Sequence, residues 1–263
     1  MKKVMLTALC ALSASSLSQA HDLWVYAQDA KQGKPLQAVL GYGDNFPAGD
    51  PIPEKRLHIF PPLELVTPNK TEALQQQGEN YHYVSPQALG AGEYKISSTY
   101  RPTFWSKNAD GWKMQNLSEV PDAHYCEQSS MYATTYFNIG GAKVSEFAQK
   151  PVGLELEIVP LVDPSQIKPM QVVPVQVLYN GEPVKGATII GTADTLTKLD
   201  WDAVMDHREP QAFSGKTDKN GVMNLIPLVT GNWKLKTSHE AEFPDQKICQ
   251  KKKMYSTYTF SVK

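Results

Sequence analysis

Tight-turn signals at short intervals decide most of what this chain can fold into. Asn180-Gly181, Thr217-Asp218-Lys219-Asn220-Gly221 and Gly231-Asn232 each sit between stretches that alternate apolar and polar residues. Asn-Gly supplies two neighbouring residues that tolerate positive φ, which a two-residue hairpin requires. Val173, Val175, Val177 and Tyr179 alternate before the first turn, and Trp233, Leu235 and Thr237 alternate with lysines after the last. Further strands are predicted over residues 187–192, 222–226 and 254–262. Short strands at this spacing predict a β-sandwich. The 19 prolines and 17 glycines weigh against long helices.

Upstream, the same reading predicts strands over residues 23–27, 37–42, 57–60, 81–84, 93–100, 131–139 and 154–159. Residues 71–77 hint at a helical turn, and residues 104–122 read as irregular. Residues 160–169 hold three prolines and read as a linker. The expected fold is all-β with two sandwich-like domains: a β-rich domain over 21–165 and a β-sandwich over 170–263.

Residues 1–20 read as an export signal. Lys2 and Lys3 form its basic end, residues 4–12 a short apolar run, and Ser18-Gln19-Ala20 a small-residue cleavage site. The run is too short to span a bilayer. Cys10 does not suit lipid attachment, because Leu9 stands where a small residue is needed. A cut after Ala20 makes His21 the first residue, with a free α-amine and an imidazole together. Amine and Nδ1 can then close one chelate ring, which no internal histidine can do. Such a donor pair suits nickel, copper, cobalt or zinc rather than calcium or magnesium. The following residues, Leu23 to Ala27, alternate in a way that pins the new terminus to a sheet.

Other chemistry is sparse. The 26 Lys+Arg and 27 Asp+Glu nearly balance, so there is no nucleic-acid footprint. No Gly-x-Ser-x-Gly elbow, His-Glu-x-x-His helix or P-loop is present, and no catalytic activity is expected. Gly41-Tyr42-Gly43 opens no helix and is not a dinucleotide fingerprint. Glu155 and Glu157 are expected on the solvated face of a half-buried strand. His58 and His82 fall within predicted strands and read as packing residues, and His207 as solvated in a polar insertion over 195–213. His124 sits in a loop beside Cys126, and His239 ends a predicted strand where a sandwich presents its rim, so both are candidate ligands. Cys126 and Cys249 form either a disulfide, as suits an exported chain, or a thiol metal site.

Several landmarks together resemble one family. They are Ala20-His21-Asp22-Leu23-Trp24, Gly43-Asp44-Asn45-Phe46-Pro47, Glu127 to Thr134, Leu156-Glu157-Ile158-Val159-Pro160 with Asp163-Pro164, and Val177 to Val184. The three C-terminal turns and Ser238-His239 complete the set. The chain resembles exported β-rich proteins described as periplasmic components of nickel/cobalt uptake systems of the energy-coupling-factor type. That resemblance implies a periplasmic protein that binds Ni²⁺ or Co²⁺ and supports the membrane subunits of an uptake transporter. It carries over His21 and His239 as metal ligands, with His124 outside any matched pattern. It also implies an immunoglobulin- or transthyretin-like C-terminal half. Two other readings compete: a copper-binding protein or copper oxygenase using the same N-terminal chelate with Cu²⁺, and a metal-free accessory or adhesion module.

Overall fold

The computed structural model describes residues 21–199 and 209–263. The expected export signal over residues 1–20, and His207, lie outside the described residues. The strands in chain order are β1 (Asp22–Asp29), β2 (Pro35–Gly43), β3 (Glu64–Val66), β4 (Thr71–Ala73), β5 (Gln75–Gln76), β6 (His82–Ala88), β7 (Gly92–Asn108), β8 (Gly111–Lys113) and β9 (Tyr125–Ile139). They continue with β10 (Leu156–Pro160), β11 (Val173–Tyr179), β12 (Glu182–Pro183), β13 (Thr188–Ala193), β14 (Phe213–Lys216), β15 (Val222–Leu225), β16 (Gly231–Glu242) and β17 (Lys251–Val262). The described α-helix is α1 (Asp194–Leu199), and no described helix is long and apolar enough to cross a membrane.

The expected all-β sandwich architecture is present. One nine-stranded sheet runs β14-β13-β16-β17-β9-β7-β3-β4, with β8 paired to β7. A four-stranded sheet, β1-β2-β6-β5, packs on one face. A second small sheet, with β10, β12 and β15 all paired to β11, packs on the other. β9 shows why: Met131 and Ala133 enter the first core and Tyr132 the second. A strand covered on both faces reads as a continuous apolar and β-branched run, as residues 131–139 do. The same large sheet thus serves both sandwiches. β17 pairs with β16 antiparallel and with β9 parallel, which joins the C-terminal strands to the N-terminal ones.

The Asn180-Gly181 turn has φ of 52° and 82°, the double positive pair that the hairpin requires. Elsewhere local pattern misleads. Residues 57–60 are not a strand, since a 3-10 helix spans Glu54–Ile59 and carries His58 on its exposed side. Residues 71–77 form the short strands β4 and β5 rather than a helical turn. β7 runs on to Asn108 through residues expected to be irregular. Its register shifts between Tyr100 and Thr103, around Pro102, which has no N–H to give the ladder. Glu157 does not face water, and Glu155 is only partly exposed. Glu157 is 3% exposed and accepts from the N–H groups of Val152, Gly153 and Leu154 at 2.8, 3.1 and 3.3 Å. Glu155 accepts from the Tyr132 hydroxyl at 2.7 Å and pairs with Lys252.

Cys126 and Cys249 form a disulfide that closes a loop of 123 residues beside the β9–β17 junction. In the chain-entropy picture such a loop stabilises the fold by roughly 4–5 kcal/mol. The double variant Cys126→Ala/Cys249→Ala is expected to lose about that much in urea denaturation, whereas an unchanged midpoint would show that the bridge is incidental.

Candidate metal centre

His21 stands at the head of β1, and the residues after it are held unusually firmly. Asp22 Oδ2 accepts from Lys234 Nζ at 2.5 Å and from Lys236 Nζ at 3.1 Å. Glu209 meets the same two ammoniums at 2.5 and 2.9 Å. Lys234 is 0% exposed and lies over the rings of Trp24 and Phe46 at 5.0 and 5.5 Å. Burial alone would push the Asp22 carboxyl up, but the two lysines hold it below its ordinary value. Burial likewise opposes the charge on Lys236, and the two carboxylates more than restore it, so its pKa is raised. The next residues of β1 pair with β2, from Asp22 opposite Gly43 to Ala27 opposite Ala38.

That pairing brings the 43–50 loop over His21. Its glycines are spatial necessities. A Cβ on Gly41 would lie 2.1 Å from the Trp24 indole. Gly43 has φ of 140°, and a Cβ there would lie 2.5 Å from the Asp50 carboxylate. Asp50 N–H donates to Tyr42 O at 2.7 Å and closes the loop. Asp44 therefore faces His21, with its Oδ1 3.3 Å from Nδ1. Nδ1 is shielded from solvent yet not aligned for a hydrogen bond. The His21 side chain as a whole stays 40% exposed, and its ring tilts against Tyr42 at a centroid distance of 5.0 Å. The neighbouring Asp44 carboxylate raises the imidazole pKa, partly opposed by burial. Burial pushes the Tyr42 hydroxyl up to about 12, so it stays protonated.

The other candidate ligands lie elsewhere. On β16, Lys234 and Lys236 point toward β1, so His239 shares the opposite face with Trp233, Leu235 and Thr237. His239 stacks on Tyr179 of β11, with ring centroids 4.4 Å apart. The nine-stranded sheet thus separates the His239 and His21 side chains. His124 is exposed ahead of β9, its N–H donating to Lys107 O at 3.0 Å. His82 packs on Tyr81 at 4.9 Å. Among the described residues, no three His, Cys, Asp or Glu side chains converge on one point. The structure offers an imidazole and a carboxylate, and cleavage before His21 would add the amine. That makes a nitrogen-rich set with one oxygen, which fits a late first-row divalent ion. Nothing in the sequence marks Asp44 as a candidate ligand, although Gly43-Asp44-Asn45-Phe46-Pro47 stands out as a landmark.

Residues 18–241 match the family model described as a domain of unknown function, DUF4198. The chain is a DUF4198 protein. The match takes in the expected cleavage site at residues 18–20, His21, Asp44 and His239 of this DUF4198 chain and stops ahead of β17. No curated protein matches the sequence. Among solved structures, a two-domain fibronectin type-III segment of chicken tenascin is similar at 11% identity, covering 91% of this chain and 97% of that one, with a TM-score of 0.24. The D0-D1 domain of intimin is similar at 9% identity, covering 91% of this chain and 97% of that one, with a TM-score of 0.21.

Proposed function

We propose that this protein is an exported carrier of a transition-metal ion, Ni²⁺ or Co²⁺, which it holds at its mature N-terminus and delivers to membrane uptake subunits. The carrying observation is the shielded His21 Nδ1 with the Asp44 carboxylate 3.3 Å away, on a terminus fixed by Asp22. A terminus already ordered costs less entropy to bring onto a metal than a frayed one. The resemblance supplies the metals, the periplasm and the transporter. His239 and His124 are not in the proposed first sphere, because their side chains lie away from His21.

The test is calorimetric titration of Ni²⁺, Co²⁺ and Cu²⁺ into protein that begins at His21. Stoichiometric binding that is lost in His21→Ala and weakened in Asp44→Asn, with His239→Ala unchanged, is the expected result. Tighter selective binding of Cu²⁺ would move the reading to a copper protein. Failure of all three ions to bind, or to raise the melting temperature in proportion to ligand excess, would leave the metal-free module.

A further inference from the structure

From the His21 ring an aromatic row runs along the end of the first sandwich. His21 meets Tyr42, and Tyr42 in turn meets Phe60 at 5.1 Å and stacks on Tyr100 at 6.2 Å. Trp105 Nε1 donates to the Tyr100 hydroxyl at 3.1 Å. Arg56 closes the row, with its guanidinium carbon 5.2 Å from the centre of the Trp105 ring. The 3-10 helix that carries Arg56 is set by the core. Ile59 and Phe60 are buried in the same cluster as Tyr42 and Tyr100, and Arg101 donates to His58 O at 3.0 Å.

Arg56 is half-buried, and no carboxylate pairs with its guanidinium among the described residues. Glu127, the cross-strand neighbour of Trp105, is taken by Lys253 Nζ at 2.8 Å and by the Tyr125 hydroxyl at 2.9 Å. An arginine stacked on an indole keeps its donor fork free, and that fork fits a carboxylate. Its charge reaches along the row. Burial pushes the Tyr42 and Tyr100 hydroxyls up, and Arg56 acts against both. At His21 the Asp44 carboxylate raises the imidazole pKa, again with Arg56 opposing.

The candidate centre is also short of donors. The amine, Nδ1 and one Asp44 oxygen fill three positions, and a tetragonal Ni²⁺ site takes at least about four. Charge is out of balance in the same sense. A divalent ion and Arg56 together bring three positive charges, against the two negative charges of Asp44 and Asp50.

We propose that the ion arrives as a complex with a small amino-carboxylate chelator, whose carboxylate is held by Arg56. This rests on the metal-carrier reading and names what comes with the ion. One carboxylate removes the surplus positive charge, and the chelator supplies the missing donors. A neutral chelator would fill the same positions and leave Arg56 without an anion.

The test is equilibrium dialysis of protein beginning at His21 against Ni²⁺ and radiolabelled glycine, reading glycine retained per bound nickel. Roughly one is expected. Labelled ethylenediamine closes a ring of the same size without a carboxylate, and is expected to be retained at least about tenfold less. Arg56→Gln should lower the glycine ratio by a similar factor, and Arg56→Lys, which keeps the charge without the fork, should fall between. Nickel bound without glycine, equal retention of the two chelators, or an unchanged ratio in Arg56→Gln would each overturn this inference and leave the carrier reading standing. Absence of bound nickel would overturn the carrier reading and this inference with it. The comparison of the two chelators uses the unaltered protein, so it does not depend on how any variant folds.

Discussion

A single residue left ahead of His21 is expected to lower nickel affinity by ~100-fold or more. Outer-sphere partners of metal ligands already matter by roughly 10–100-fold, and here a first-sphere donor is lost. The extension turns the α-amine into an amide while leaving the imidazole and Asp44 where they are. Protein beginning at Ala20 carries its α-amine one residue away from the imidazole, so it differs from protein beginning at His21 in the six-membered amine–Nδ1 ring. Side-by-side calorimetric titrations check this. Equal affinities would show that the amine is no ligand and would end the chelate reading, even if the protein still bound metal through His21 and Asp44. Chemical acetylation of the correctly cut terminus gives the same comparison by an independent route.

Replacing Lys234 with Met is expected to cost about 4 kcal/mol, the range seen when one partner of a buried ion pair is removed. Lys234 is fully buried between Asp22 and Glu209, each 2.5 Å away. Without it, two buried carboxylates share the Lys236 ammonium. The fall in melting temperature should be on the order of 10 °C for a chain of this size. Adding Glu209→Gln removes the surplus negative charge and should recover part of the loss, a coupling that a double-mutant cycle reads directly. If Lys234→Met unfolds in urea at the unaltered midpoint, the four charges contribute no net stability. Methionine matches the apolar stem of lysine, so packing against Trp24 and Phe46 is largely preserved and the cost reports the charge.

These lysines also show what alternation records. Trp233, Leu235 and Thr237 alternating with Lys234 and Lys236 correctly marks a strand. It cannot say whether the polar face meets water or a second sheet carrying matched charge. Glu157 misleads for the same reason: a carboxylate at an alternating position looks solvated, and three backbone N–H groups take the place of water. The turns were legible because Asn-Gly and Gly-Asn act through local φ alone. The 57–60 and 71–77 stretches were not, since segments that short follow their tertiary surroundings. The cysteine pair was legible in outline, and the structure closes it as a disulfide. At the candidate centre, His21 could be found because the expected cleavage after Ala20 singles it out. Asp44 depends on the β1–β2 register and on Gly41 and Gly43 making room, which no spacing in the sequence expresses. The placing of His239 depends on which face of β16 meets β1, a fact of packing rather than of order.

The parallel pairing of β17 with β9 bears on the order in which the fold can close. β1 comes long before β17 in the chain, yet Thr257 and Thr259 add to its β2 ladder two hydrogen bonds from across β17. Contacts separated by 234 residues pay their loop-closure entropy before they return any stability. The middle of the large sheet therefore stays open until the twelve residues of β17 arrive. The last described strand acts as the keystone, and the β1 segment behind His21 is seated last.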